Sequence, residues 1–253
     1  MRRCHIDQSL TPSITLTEEQ IHYLVRVLRL KTTDQWIAFN GKGEERTYQL
    51  AEDMLHAHAM SALQIGRLAH PIALCYALPK GDKLERVVRQ VTELGVCQVH
   101  LWQADHCVQQ WKVERSQKKM QRLNKIIQEA ARQSHRADLL HLYEPQKLDV
   151  LLSSFASIPY KIFLHTQAQH SMQDLVQWMS KVSTHTSSDI EASTHSNIQA
   201  IILVGPEGGI STQENQKLKQ EGWFDLYLDV PILRTETAAV IACSILLQQL
   251  AYF

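Results

Sequence analysis

The alternation of short apolar runs with helix-like segments from Pro71 onward constrains the fold more than any other feature of this sequence. An amphipathic helix is predicted at 82–94, because Leu84, Val87, Val88 and Val91 recur at helical spacing. Strands that alternate with helices indicate an α/β domain with a largely parallel sheet, which we place at residues 71–253. The predicted strands are 72–78, 96–102, 161–166, 201–204 and 226–228.

Residues 1–70 have a different pattern and are predicted to form a small β-barrel. Two candidate strands, 34–39 and 46–50, are joined by Asn40-Gly41-Lys42-Gly43, whose glycines permit a hairpin loop. Thr17-Glu18-Glu19-Gln20 has the capping-box pattern and predicts a helix that runs to Arg29. Arg26 and Arg29 lie three positions apart on that helix, where they either contact phosphate or belong to a solvated face.

Composition argues against several classes of protein. The 253 residues are 44% hydrophobic, enough to bury a core. Because no run approaches the roughly 18 apolar residues of a membrane span, and the first residues lack the apolar stretch of a signal peptide, we expect a cytoplasmic protein without a membrane anchor. The five cysteines form no Cys-x-x-Cys pair and the histidines lack ligand spacing. We therefore expect neither disulfides nor a metal site.

The charge is distributed unevenly, although the net charge is zero. Residues 80–136 carry twelve Lys and Arg against six Asp and Glu. A helix is predicted at 114–135, with Met120, Leu123, Ile127 and Ala130 as its buried stripe. Such a row of cations is either a solvated surface or a face for RNA phosphates, and six aligned cations favour RNA. The cations on the opposite face are Arg115, Lys118, Arg122, Lys125, Arg132 and Arg136.

A glycine-rich turn follows the apolar strand at 201–204. Its sequence is Gly205-Pro206-Glu207-Gly208-Gly209. Ligands of α/β sheets bind at the carboxyl ends of the strands, glycines allow the backbone to approach a ligand closely, and Glu207 adds a carboxylate. The turn is neither Gly-x-Gly-x-x-Gly nor a Walker loop, so it does not predict a dinucleotide or ATP site.

A second turn follows the strand at 226–228 and leads into the last helix. It contains Leu233-Arg234-Thr235-Glu236-Thr237-Ala238, with Thr235 as the predicted N-cap. Capping alone accounts for Thr235 to Thr237 but not for Arg234. The last helix is almost wholly apolar and packs either in the core or at a dimer interface. By contrast, 183–199 is predicted to be a loop without a catalytic role.

The two turns together resemble the ribosomal RNA small-subunit methyltransferase E (RsmE) family of SPOUT enzymes. The likeness extends, in order, over nearly the whole chain, through residues 22–30, Lys80-Gly81-Asp82, 93–96 and Gln133-Ser134 with Arg136. It implies a PUA-like RNA-binding β-barrel at 1–70, a trefoil-knotted SPOUT domain at 71–253, and a homodimer that acts in ribosome biogenesis.

The resemblance also implies the cofactor, the substrate and the site. The cofactor is S-adenosylmethionine, and the substrate is N3 of a uridine in the decoding region of 16S ribosomal RNA, as free RNA or in an assembled small subunit. The cofactor-binding residues are Gly205, Pro206, Glu207, Gly208, Leu228, Leu233, Thr235 and Thr237.

The chemistry requires that uridine N3 lose its proton before it can attack a methyl group. Glu207 or Glu236 is a candidate base, and the residues do not rank the two. Arg234 is the candidate to stabilise negative charge on the uracil oxygen.

The chain departs from the RsmE pattern at several positions. Asp229 and Pro231 replace a glycine and an arginine, Ala104-Asp105-His106 replaces Ser-Glu-Arg, and Gln90 replaces a lysine. Further along, Arg132, His135 and Asp138 replace a glutamate, a glycine and an arginine. Two alternatives therefore stay open: a SPOUT enzyme with another RNA target, such as a transfer-RNA ribose, and a non-catalytic RNA-binding assembly factor.

Overall fold

The computed structural model describes residues 1–107, 111, 113–183 and 198–250, without the side chains of 113–115 and 183. The predicted loop at 183–199 lies largely outside these residues. The chain divides into two compact units. The first comprises Met1–Ala69 and Ile127–Leu139, and the second comprises His70–Ile126 and Leu140–Phe253.

The first unit is built on a six-stranded sheet of order β1-β3-β4-β5-β2, with β6 paired to β4. The predicted hairpin is confirmed: β3 and β4 are antiparallel, and Gly41 and Gly43 between them have φ of 74° and 101°. The strands are β1 Arg3–His5, β2 Ser13–Thr15, β3 Gln35–Phe39, β4 Glu44–Leu50, β5 His56–Ala59 and β6 Gln64–Ile65.

The helical segment of this unit differs from its prediction. The capping box is confirmed, since Thr17 Oγ1 accepts from Gln20 N and Gln20 Oε1 accepts from Thr17 N. Helix α1, however, covers only Glu18–Ile21, and a π-helix continues over His22–Val27. A segment of about nine residues is too short for its hydrophobic spacing to distinguish the two helix types.

The segment Ile127–Leu139 is part of the first unit, and it corrects one predicted RNA contact. Arg136 is 2% exposed and its Nε lies 3.1 Å from Asp138 Oδ1. Its carbonyl accepts a hydrogen bond from Arg3, and the amide N–H of Ala69 donates to both carboxylate oxygens of Asp138. Arg136 is therefore a buried structural cation and not a phosphate contact on the surface.

The second unit contains a six-stranded sheet of order β12-β10-β11-β7-β8-β9, in which every pair of neighbours is parallel. This confirms the predicted parallel α/β sheet. Its strands are β7 His70–Ala77, β8 Val96–Trp102, β9 His141–Gln146, β10 Tyr160–Leu164, β11 Ala200–Val204 and β12 Phe224–Leu226. Among the described strands of this unit only β9 was missed; it is an edge strand that contains Pro145 and buries only Leu142, so it lacks an apolar run.

The helices of this unit are α2 Lys83–Leu94, α3 Val113–Gln133, α4 Leu148–Ser154, α5 Met172–Ser183, α6 Thr212–Gln220 and α7 Thr235–Gln249. Helix α3 begins in the second unit and ends in the first. Among the described residues, none of the helices combines the length and apolar character needed to cross a membrane.

The core of the second unit forms between the central strands and the apolar faces of the helices. On α2 the predicted residues Leu84, Val87, Val88 and Val91 are all buried. Helix α7 contacts α2, β7 and β11, and Ala239, Ala242, Cys243, Leu246 and Leu247 of its inner face are buried. One face of the last helix therefore belongs to the core.

Candidate functional site

A cavity of about 540 Å³ lies at the carboxyl ends of β10, β11 and β12, where an α/β sheet binds its ligands. Both predicted turns line it, and so does a third segment that was not predicted from the sequence. The lining residues are Leu164 to Gln167, Val204 to Ile210, Leu226 to Leu228, Val230 to Leu233, Thr235 and Ala238.

The two predicted turns are joined directly. Thr235 Oγ1 donates a hydrogen bond of 2.9 Å to the carbonyl oxygen of Gly205. The N-cap of α7 is Arg234, without a capping hydrogen bond from its side chain, so the prediction of Thr235 as N-cap was wrong. The hydroxyl of Thr235 holds the neighbouring turn instead of the amides of its own helix.

The glycines of the first turn are required by close packing. A Cβ at Gly205 would lie 2.8 Å from Ile210 Cγ1, and one at Gly208 would lie 2.9 Å from His106 Cβ. Gly209 has φ of 76°, which disfavours other residues. Ser211 and Glu214 form a capping box that starts α6 directly after the turn. The turn is therefore fixed at both ends.

The segment Ala104-Asp105-His106, which replaces Ser-Glu-Arg of the RsmE pattern, contacts the same turn. His106 Nδ1 lies 3.1 Å from Gly208 O and 3.2 Å from Gly209 O. Asp105 Oδ2 accepts a hydrogen bond of 2.7 Å from Ser211 Oγ. These substituted residues support the glycine turn by hydrogen bonds.

A lysine connects the two candidate bases. Lys83 Nζ lies 2.8 Å from Glu207 Oε1 and 3.5 Å from Glu236 Oε2. Burial raises the pKa of Glu207, but the hydrogen bonds from Lys83 and from backbone amides outweigh it and leave the pKa below its usual value. Glu207 is therefore a carboxylate at neutral pH. It lines the cavity, whereas Glu236 is buried and is not a lining residue.

The other predicted site residues fall into two groups. Gly205, Pro206, Glu207, Gly208, Leu228, Leu233 and Thr235 line the cavity. Arg234, Thr237 and Asp229 are exposed and do not line it, although each is next to a residue that does. Pro231 lines it, together with the exposed Val230 and Ile232. The second turn, in which Pro231 replaces the arginine of the RsmE pattern, thus has apolar side chains at the cavity.

The missed segment follows β10 and contributes His165, Thr166 and Gln167. Burial, followed by the charge of Lys219, lowers the pKa of His165. The segment is fixed by the buried Asp225, which pairs with His170, accepts from the amide of Gln169 and lies 2.9 Å from Lys219 Nζ. It contains no glycine, and only its place after a parallel strand could have identified it.

The predicted RNA contacts differ in exposure. Arg26, Arg29, Lys118, Arg122 and Lys125 are exposed, and Arg122 pairs with Glu85 at 2.8 Å. In the first unit Arg132 is half-buried, with its guanidinium 4.4 Å from the ring centre of Tyr23. The side chain of Arg115 lies outside the described residues. Among those residues, no group of three or more His, Cys, Asp or Glu side chains has the arrangement of a metal site.

Comparison with known proteins identifies the family. The RNA methyltransferase domain matches residues 67–247, and the RNA methyltransferase PUA domain matches residues 16–53. The chain belongs to the RNA methyltransferase family. Ribosomal RNA small subunit methyltransferase E of Bacillus subtilis is 29% identical to it, over 92% of this chain and 89% of the relative. The protein of that name from Synechocystis is also 29% identical, over 93% and 73%.

Solved structures of related methyltransferases share the fold. A putative methyltransferase of Legionella pneumophila, solved with the bound cofactor SAM, is 25% identical over 97% of this chain and 96% of its own, with a TM-score of 0.78. Ribosomal RNA small subunit methyltransferase E of Neisseria gonorrhoeae has the same fold, with a TM-score of 0.75 over 98% and 97% of the two chains. These matches confirm the resemblance and the predicted fold class, a PUA-like domain with a SPOUT-type α/β domain. The trefoil knot stays a prediction.

Proposed function

We propose that this chain is an S-adenosylmethionine-dependent methyltransferase that modifies N3 of a uridine in the decoding region of 16S ribosomal RNA. The observation that carries the proposal is the hydrogen bond between Thr235 and Gly205, which joins two turns around one cavity. The names of the relatives in Bacillus subtilis and Synechocystis support the substrate class.

The cavity fits the methyl donor in size and chemistry. Its volume of about 540 Å³ is in the range of small-molecule sites. Leu228, Leu233 and Ile210 offer apolar surface to an adenine ring, and the carboxylate of Glu207 offers a negative charge to a cationic ligand. When bound, S-adenosylmethionine supplies a methyl group activated by a positively charged sulfur.

The proton acceptor in this proposal is Glu207. It lines the cavity and is ionised at neutral pH, so it is in the form that accepts a proton. The N3–H bond of uridine breaks and its proton passes to Glu207. The N3 electron pair would then be free to take the methyl group that S-adenosylmethionine, held by the turns at Gly205–Gly208 and Leu228–Thr235, would supply. Arg234, exposed beside the cavity, stabilises the developing charge on a uracil oxygen.

RNA binding in this proposal combines two regions. Residues 1–70 form the PUA-like RNA-binding domain, with Arg26 and Arg29 exposed on its surface and the segment Ile127–Leu139 in the same compact unit, and the rest of 71–253 forms the SPOUT methyltransferase domain. The exposed cations Lys118 and Lys125 of α3 contact RNA phosphates. The enzyme acts as a homodimer in the cytoplasm, on free RNA or on an assembled small subunit.

Methyl transfer by the purified protein tests the proposal. The protein is incubated with S-adenosylmethionine and small ribosomal subunits from cells that lack it, and the RNA nucleosides are analysed by mass spectrometry. We expect 3-methyluridine to form. Cofactor binding by calorimetry without transfer to these subunits would indicate another RNA target, and absence of cofactor binding would indicate an RNA-binding assembly factor.

A further inference from the structure

We propose that Lys83 is a positioning residue for the proton-transfer step: it holds one oxygen of Glu207 in an ion pair, leaves the other for the substrate, and is itself anchored by Glu236. This inference rests on the proposed function, because it assigns the group that orients the proton acceptor.

Three separate elements meet at this lysine. Lys83 is the first residue of α2, Glu207 is in the turn after β11, and Glu236 is in the first turn of α7. The contact between Lys83 and Glu207 spans 124 positions of sequence, with an N–O distance of 2.8 Å. A single ammonium group therefore connects the glycine turn to the start of the last helix.

The partial burial of the three side chains distinguishes this arrangement from a surface ion pair. Their side chains are 29%, 33% and 9% exposed for Lys83, Glu207 and Glu236. Glu236 Oε2 is buried and accepts no hydrogen bond within the described residues, so the ammonium of Lys83 at 3.5 Å is the charge that compensates it. A buried charge without a nearby opposite charge is strongly destabilising, so this contact stabilises the start of α7.

Two other titratable groups close to these carboxylates, Tyr76 and Cys107, are neutral at pH 7. Burial raises the pKa of Tyr76 far above its usual value, with Glu236 and Glu207 adding to the effect and Thr235 opposing it. Burial likewise raises the pKa of the Cys107 thiol, which lies within electrostatic range of Glu207. Lys83 is therefore the cation that the described residues place against both carboxylates.

Removal of this cation has a defined consequence for the chemistry. Without Lys83, the hydrogen bond and the charge that lower the pKa of Glu207 are lost while its burial remains, so its pKa rises. Glu207 would then be protonated, and no longer able to accept the N3 proton, over part of the pH range in which it now works. It would also lose the contact that fixes its orientation, and misplacement of a reacting group by about 1 Å costs about 100-fold in rate.

The pH profile of methyl transfer separates this role from a merely structural one. The profile of kcat/KM is measured for the full-length wild type, Lys83→Met, Lys83→Arg and the matched control Arg86→Met, which removes an exposed cation from the same helix. We expect Lys83→Met to lower kcat by about 10-fold to 100-fold and to move the acidic limb to higher pH. Lys83→Arg should keep most of the wild-type kcat and most of the wild-type position of the acidic limb. Arg86→Met should match the wild type in both quantities.

The outcomes that overturn the inference are distinct from failure of the proposed function. Wild-type transfer with an unchanged kcat and acidic limb in Lys83→Met overturns the role of Lys83 alone. If Lys83→Met does not fold, Glu236→Gln takes its place, because it loosens the anchor of the lysine without changing side-chain size. An unchanged kcat and pH profile in Glu236→Gln then overturns the inference. No methyl transfer by the wild type overturns the proposed function, and this inference with it.

Discussion

The hydroxyl of Thr235 donates a hydrogen bond of 2.9 Å to the carbonyl of Gly205, and this contact joins turns that are 30 residues apart in sequence. The two turns follow β12 and β11, and both strands pair with β10 in the parallel sheet. Their carboxyl ends therefore lie at one edge of the sheet, where the cavity opens.

Replacement Thr235→Val is expected to weaken S-adenosylmethionine binding about 3-fold to 10-fold. The variant keeps the shape of the side chain but leaves the Gly205 carbonyl without its donor, a loss of about 0.5–1.5 kcal/mol. Calorimetric titration measures the change. Thr235→Ser should retain the affinity, and Thr15→Val, which changes an exposed threonine of β2 outside the cavity lining, serves as the matched control. Equal affinity of Thr235→Val and wild type contradicts the role of this contact.

Replacement Arg234→Ala is expected to abolish methyl transfer while the protein remains folded. Arg234 is exposed, so its removal leaves the core intact. Loss of a group that stabilises charge in a transition state typically costs about 100-fold to 1000-fold in kcat. Single-turnover transfer to small subunits measures the effect, and the affinity for S-adenosylmethionine should stay close to that of wild type because Arg234 does not line the cavity. Unchanged turnover would remove Arg234 from the mechanism.

The double variant Lys118→Ala with Lys125→Ala is expected to weaken RNA binding and reduce its dependence on salt. Each phosphate contact contributes about 0.7–0.9 to the slope of log affinity against log salt concentration. Binding to a 16S fragment at several salt concentrations gives the slope. Lys217→Ala is the control, because it removes an exposed lysine from α6, outside the residues proposed to contact RNA. An unchanged slope in the double variant shows that these cations belong to a solvated face.

Replacement Arg136→Met is expected to destabilise the first unit by about 3–5 kcal/mol, because it leaves Asp138 buried without its cation. Equilibrium urea unfolding measures the loss. The double variant Arg136→Met with Asp138→Leu removes both charges and should recover part of the stability. If Arg136→Met has the stability of wild type but binds RNA weakly, the surface role that the sequence suggested would hold after all.

The buried His100 is expected to make the second unit less stable as the pH falls from 6.5 to 4. Burial, assisted by the charge of His141, lowers the pKa of His100 to about 4. The unfolded chain therefore binds a proton in this range that the folded chain does not, and the full stability is present only above pH 6.5. A shift of this size corresponds to about 3 kcal/mol.

Urea unfolding at pH 7 and pH 4.5 tests this dependence. The control is His100→Phe, which retains a ring to stack on Tyr143, 4.1 Å away between ring centres, but cannot titrate. The variant should lose less stability between the two pH values than the wild type. Equal losses would show that His100 is not the group responsible.

Local patterns in the sequence predicted the parts of the fold that depend on neighbouring residues. The capping box at Thr17, the β3–β4 hairpin and the buried face of α2 follow from spacing alone, and the structure contains all three. The glycine turn after β11 was recognisable because an apolar strand ended in residues with unusual backbone freedom.

Features that depend on distant residues could not be predicted in this way. Nothing in the sequence indicates that Lys83 pairs with Glu207, which lies 124 positions away. Arg136 was assigned to the exposed face by helical periodicity, but α3 ends at Gln133 and His135 has φ of 60°. The chain therefore changes direction before Arg136, and the helical pattern no longer determines where its side chain points.

Nucleoside mass spectrometry of 16S ribosomal RNA from cells with and without this protein shows whether the chain methylates uridine N3. We predict that 3-methyluridine disappears from the decoding region when the protein is absent and returns with the wild-type gene, but not with one encoding Arg234→Ala. The same amount of 3-methyluridine in cells that lack the protein would contradict this prediction.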